Sequence, residues 1–187
     1  HAFVEEFCGR WKPSRLIDLG GNTGEFSETA IAAGVREVVL VDSDHGALTR
    51  AYRRAVEKSL FVLPLLSNIM DLSPAQGWRN LERMSLEQRL RDWQPDALLA
   101  LALIHHLAIN GNAPLDQVMD WVLSLAPRGI IEFVPKSDPT VQLMLRYRQD
   151  IFADYSLENF RALLAARKHI VNEQKLTSGR TLFAFYT

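Results

Sequence analysis

The sequence predicts an α/β fold: a doubly wound, mostly parallel seven-stranded sheet with helices on both faces and a C-terminal antiparallel strand pair. Three observations predict it. Apolar runs rich in β-branched residues, such as Val38-Val39-Leu40-Val41, alternate with helical patterns, as expected of strands covered on both faces and joined by crossover helices. The run Leu16-Ile17-Asp18-Leu19 ends in three glycines within five residues, Gly20, Gly21 and Gly24, and passes into a helical pattern; it reads as strand, tight turn, helix. The last two strand-like runs, 169–175 and 181–186, meet at Ser178-Gly179, which reads as a hairpin turn.

In chain order, 2–12 form a helix with Phe3, Val4, Phe7 and Trp11 on one side, and Pro13-Ser14 ends it before a strand at 15–20. The helix after the glycine turn covers 25–33 and stops at Gly34, a C′ glycine. The second strand ends in Asp42, and a helix over 47–58 exposes Arg50, Arg53, Arg54 and Lys58 as a solvated face. Residues 61–66 supply the third strand, with Pro64 pointing to an edge position. Residues 73–94 form a loop and then a helix up to Trp93, and contact with substrate or closure over it are both open to this insertion. The fourth strand, 97–103, is apolar throughout and therefore central, and it delivers His105-His106 to its carboxyl end. A helix over 114–125, a strand over 128–134, and helices over 140–149 and 157–167 precede the closing pair.

Composition narrows the class. The chain of 187 residues is expected to form one domain, 1–187, and its start at His1, already inside an amphipathic pattern, points to the C-terminal part of a longer chain. The 21 basic and 22 acidic residues nearly cancel, which argues against a domain whose task is neutralising a phosphate backbone. Cys8 stands alone, so no disulfide framework and no cysteine metal cluster is expected, and a cytoplasmic location fits. The longest uncharged run, 97–115, carries His105, His106, Asn110, Gly111, Asn112 and Pro114, and is no membrane span.

The glycine turn is where chemistry begins. Without a Cβ the backbone takes positive φ and brings its N–H groups close to a ligand, while the following helix offers unpaired N–H groups and its positive dipole end. An ordinary turn with a glycine cap or bulge is the plain alternative. Asp42 lies 22 residues beyond Gly20, where doubly wound nucleotide sites place a carboxylate for ribose hydroxyls. One carboxylate offers two acceptor oxygens to a diol. A helix N-cap is its other role, for which Asp44 is better placed. A histidine pair after a buried strand, at the edge where such sheets bind ligands, is a candidate for proton transfer. Glu132 and Lys136, at the end of the fifth strand, are substrate candidates or a salt bridge with each other.

Asp18-Leu19-Gly20-Gly21-Asn22-Thr23-Gly24 resembles the first motif of the class I S-adenosylmethionine-dependent methyltransferases, usually D/E-x-G-x-G-x-G. Asn22 replaces the middle glycine, a mild departure because asparagine tolerates the left-handed region. Ile104-His105-His106-Leu107 is similar to the fourth motif of small-molecule methyltransferases, and the N/D-P-P-Y/F signature of many amide and base N-methyltransferases is missing. The stretch 132–136, the segment 148–155 and the histidine pair together look like a bacterial branch related to rhizobial nodulation proteins. The family likeness covers the chain from about residue 14 onward.

The resemblance implies S-adenosylmethionine as cofactor, with Asp18 and the turn residues Gly20, Gly21, Asn22, Thr23 and Gly24 at its methionine end, Asp42 and Ser43 at the ribose, and Asp71 and Leu72 at the adenine. A cap or turn role before Ser73-Pro74 is the other reading of Asp71. The expected reaction is methyl transfer to a small-molecule or carbohydrate acceptor, at oxygen, with His105 or His106 as general base, and with no metal, nucleic acid or membrane involved. Two rivals are a non-catalytic domain that binds the cofactor or its product within a larger protein, and a nicotinamide-dependent oxidoreductase. The latter predicts a G-x-G-x-x-G turn that the sequence lacks.

Overall fold

The computed structural model describes all 187 residues. Seven strands form one sheet in the order β3-β2-β1-β4-β5-β7-β6, flanked by helices: β1 (Arg15–Leu19), β2 (Glu37–Asp42), β3 (Val62–Leu66), β4 (Ala97–Ala100), β5 (Arg128–Phe133), β6 (His169–Lys175) and β7 (Thr181–Tyr186). β1 pairs in parallel with β2 and β4, and β2 with β3. β7 runs antiparallel to both β5 and β6, the pairing expected of the C-terminal hairpin. The chain divides into two compact units, His1–Leu99 and Ala100–Thr187.

In the first unit, α1 (Ala2–Trp11) buries Phe3, Val4, Phe7 and Cys8, while Trp11 stays half-exposed. The apolar stripe is therefore one residue off the expected one, and burial pushes the Cys8 thiol up to about 12, so it behaves as a small hydrophobe. α2 (Glu25–Ala32) follows the glycine turn. α3 (His45–Glu57) is capped by Asp44, whose side chain accepts from the Ala47 N–H at 2.9 Å. The basic face of α3 is partly engaged: Arg54 and Lys58 both pair with Glu28 of α2. Leu40, Leu48 and Ala51 pack together, joined by Val62. β3 is the sheet's edge, the position that tolerates the missing N–H of Pro64. After it, 73–85 runs through a single 3₁₀ turn (Trp78–Asn80) to the short α4 (Leu86–Asp92), started by a capping box between Ser85 and Gln88.

In the second unit, α5 (Leu115–Ser124) and α7 (Leu157–Ala165) lie where the sequence predicts helices, and α6 (Pro139–Leu145) stops four residues early. Beyond it Arg148 donates to the Ile109 carbonyl at 2.9 Å and to the Asn112 side chain, and Lys136 grips Asp150 at 2.8 Å and the Phe152 carbonyl at 2.7 Å. These anchors hold 146–155 as an irregular segment. The core of the unit is an aromatic chain in which Phe160 meets Phe133 at 5.3 Å and Phe183 at 5.7 Å between ring centroids. Phe160 is fully buried, so Phe160→Ala should cost about 3–5 kcal/mol of stability by the usual cavity penalty. Urea unfolding followed by circular dichroism checks it.

Candidate active site

The glycine turn is built on a buried acid. Asp18, next to the last residue of β1, is 1% exposed, and its Oδ2 accepts a 2.6 Å hydrogen bond from the Ser27 hydroxyl of α2. A Cβ on Gly21 would sit 2.7 Å from Asp18 Cγ, from Asp18 Oδ2 and from Leu40 Cγ, so the backbone can pass over this acid only as glycine. Gly20 and Gly24 take positive φ, 71° and 76°, and Asn22 does the same at 49°, so the substituted residue adopts the left-handed conformation that the motif demands. The turn is stitched to β2: the Gly20 N–H donates to the Val41 carbonyl at 2.8 Å and the Asn22 N–H to Asp42 Oδ2 at 2.9 Å. Asp42 Oδ1 accepts from the Asp44 N–H at 2.8 Å. Asp44, not Asp42, caps α3, which leaves Asp42 to brace the turn and face outward half-exposed. Thr23 is half-buried, Ser43 is exposed beside Asp42, and Asp71 and Leu72 lie in the turn after β3, Asp71 exposed with its N–H donating to the Asn68 carbonyl at 3.0 Å.

Burial raises the Asp18 carboxyl to about 6; the nearby Asp42 charge adds to the rise and the Ser27 hydroxyl opposes it. Because the folded carboxyl holds its proton more tightly than the unfolded one, its contribution to stability is fully present below the unfolded value of 3.8 and is lost as pH rises to about 6. Asp18→Asn should flatten that slope, gaining on the order of 3 kcal/mol relative to wild type between pH 4 and neutrality. Urea denaturation across that pH range measures it.

The second unit carries the histidines on a different local design from the one expected. β4 stops at Ala100 and not at residue 103, because Ala102 adopts φ 48° and its N–H is taken by Glu132 Oε2 at 2.6 Å. A short π-helical stretch, His106–Asn110, then begins right after His105, a form frequent at functional sites. His105 is 1% exposed and its Nδ1 has no hydrogen-bond partner, whereas His106 is exposed. The two rings meet at 4.3 Å, tilted by 42°. Burial first, then the neighbouring His106 and Arg180, lower His105 to about 4, so it is neutral at physiological pH.

Of the two readings of Glu132 and Lys136, the salt bridge with each other does not form. Lys136 pairs with Asp150, and Glu132, 6% exposed, holds Ala102 and faces Arg180 Nη1 at 3.8 Å. The Arg180 Nε donates to Asp138 Oδ2 at 2.8 Å, and that contact leads the effects holding the Asp138 carboxyl below its usual range. Sequence reasoning missed Ser27, Arg180 and Asp138. Ser27 carries a faint signal, a hydroxyl on the inward stripe of α2 beside Ala30. Arg180 carries none, since its partners lie more than forty residues away in the chain.

In sequence, the chain is 45% identical over 184 residues to the nodulation protein NoeA of Rhizobium meliloti (strain 1021), a match that covers 98% of this chain and 38% of NoeA. The chain thus spans about two fifths of the length of that curated relative. No protein-family model matches. In fold it is similar to the N-methyltransferase NodS from Bradyrhizobium japonicum WM9 in complex with S-adenosylhomocysteine, with a TM-score of 0.64 at 15% identity over 100% of this chain and 85% of that one. The methyltransferase domain of bacterial CtHen1-C gives 0.64 at 15% over 99% and 95%, and the 16S rRNA methylase RmtB gives 0.63 at 15% over 99% and 61%. By its sheet order, its glycine turn and these likenesses, the chain has the class I S-adenosylmethionine-dependent methyltransferase fold and is related in sequence to a rhizobial nodulation protein.

Proposed function

We propose that the chain transfers a methyl group from S-adenosylmethionine to an oxygen of a small-molecule or sugar acceptor, with the histidine pair managing the proton. The observation that carries the reading is the glycine turn: Gly21 packed on Asp18 and the Asn22 N–H clasped by Asp42 at the end of β2. These residues fit the cofactor. A Cβ-free backbone at positive φ presents N–H groups where an amino-acid carboxylate can sit, at the N-terminus of α2. Asp42 uses one acceptor site of Oδ2 on the turn and one of Oδ1 on the Asp44 N–H, and each oxygen keeps a second for a ribose diol. Gly20 to Gly24, set over the buried Asp18 that fixes them, would hold the methionine end, Asp42 and Ser43 the ribose, and Asp71 and Leu72 the adenine. When bound, the cofactor supplies a methyl group already activated on a sulfonium.

His106 and His105 divide the remaining work. His106 is exposed and is the ring a hydroxyl can reach, so it takes the acceptor's proton. His105 remains neutral beside it, so the charge arriving on His106 meets no second positive ring at 4.3 Å. The 21 to 22 charge balance supports a small acceptor over RNA. No helix is long and apolar enough to cross a membrane, and a cytoplasmic setting suits a chain whose lone cysteine is buried. A second reading is a non-catalytic domain that binds the cofactor or its product.

Titration calorimetry with S-adenosylmethionine and S-adenosylhomocysteine tests the cofactor half. Heat is expected with both, and Asp42→Ala should weaken each by roughly tenfold or more, the worth of one charge-assisted hydrogen bond. Absence of heat with either ligand sinks the proposal. Release of S-adenosylhomocysteine in the presence of sugars, phenols or 16S rRNA then separates the acceptors. His106→Ala should keep the binding heat and lower transfer to a hydroxyl acceptor by roughly 100- to 10,000-fold. Transfer to RNA alone overturns the acceptor assignment, and binding without transfer to any acceptor favours the second reading.

A further inference from the structure

We infer that Glu132 is a positioning residue for the histidine turn: by holding the N–H of Ala102 it keeps that residue left-handed and so sets where His105 and His106 are carried. The inference deepens the reading of His106 as the base and rests on it. Ala102 is an L-residue at φ 48°, a conformation that is strained for a residue with a Cβ and persists only where its surroundings impose it. The imposing group is the Glu132 carboxylate, whose Oε2 takes the Ala102 N–H at 2.6 Å across thirty residues of chain. Burial strengthens a hydrogen bond by lowering the local dielectric, and this short contact offsets that strain. The bend that results ends β4 and places the start of the π-helical stretch four residues on.

Glu132 is itself held. Its other oxygen, Oε1, faces Arg180 Nη1 at 3.8 Å, and Arg180 is oriented by Asp138 at 2.8 Å, which in turn caps α6 by accepting from the Thr140 N–H at 2.9 Å. With both oxygens engaged and 6% exposure, Glu132 is poorly placed to meet a substrate. Its buried position makes sense as the end of a braced strut running from the α6 cap to the histidine turn.

The experiment reads the imidazole Cε1–H proton resonances of His105 and His106 in the free protein, with no cofactor or acceptor present, so it stands apart from whether methyl transfer occurs. Glu132→Gln, which keeps an acceptor oxygen, should leave both resonances close to wild type. Glu132→Ala should move both beyond their linewidths, and adding Ala102→Gly should bring them back at least halfway, because glycine takes positive φ without help. In the transfer assay the same alanine variant should lose turnover by roughly a hundredfold, as misplaced catalytic groups do, with the S-adenosylmethionine binding heat unchanged. Unmoved histidine resonances in Glu132→Ala, or no recovery on adding Ala102→Gly, overturns the inference. Should Glu132→Ala fail to fold, Arg180→Gln is read in the same way: it should move both resonances by a smaller amount, and unmoved resonances again overturn it.

Discussion

A carboxylate with almost no access to water, covered by a backbone that has no side chain to spare, is the constraint from which the first unit takes its form. Asp18 is desolvated beneath Gly21, and the Ser27 hydroxyl is its close polar partner. Burial of this kind is costly, and the acid with the glycine above it fixes the height and direction of the turn. The strand, the bend and the first turn of α2 then behave as one piece. Asp42 ties that piece to the neighbouring strand through the Asn22 N–H, so a single side chain can brace the loop and still offer free lone pairs outward.

The second unit solves a similar problem by a different route. It must leave a strand sharply and start a helix, and it does so with an alanine at positive φ where the first unit uses glycines. An alanine there requires an outside restraint, and a buried glutamate provides it. A glycine would have made the bend without assistance, but it would also have made it floppy. The two designs differ in where the rigidity resides: in the first it lies in the packing under the loop, and in the second in a chain of charged groups that ends on one amide.

Much of the fold was legible from local pattern. Short apolar runs marked β1 and β5 and a continuous β-branched run marked β2, Pro64 marked an edge, Ser178-Gly179 marked the hairpin, and Asp44 was the better cap than Asp42. The glycine turn was legible because Asp18 and its three glycines lie within seven positions of one another. What escaped was set at long range. The end of β4 depends on Glu132, thirty residues ahead; the early stop of α6 goes with Arg148 reaching back to Ile109; and Lys136 prefers Asp150 over Glu132. The stripe of α1 includes Cys8 in place of Trp11 because the smaller residue fits wholly inside. A helical or extended pattern shows which face turns inward, and it carries no information on which distant charge will intercept an amide.

Pro64 has a consequence beyond its own strand. It sits in an outermost strand flanked by Phe61, Leu63 and Leu66, all largely exposed, in a stretch from residue 60 to 66 without a single charge. Such a border is a template onto which another polypeptide can zip, and natural sheets blunt it with charges or imino acids. Here the imino acid acts alone, so one pyrrolidine ring is the principal guard keeping neighbouring molecules from growing a continuous ribbon along this margin.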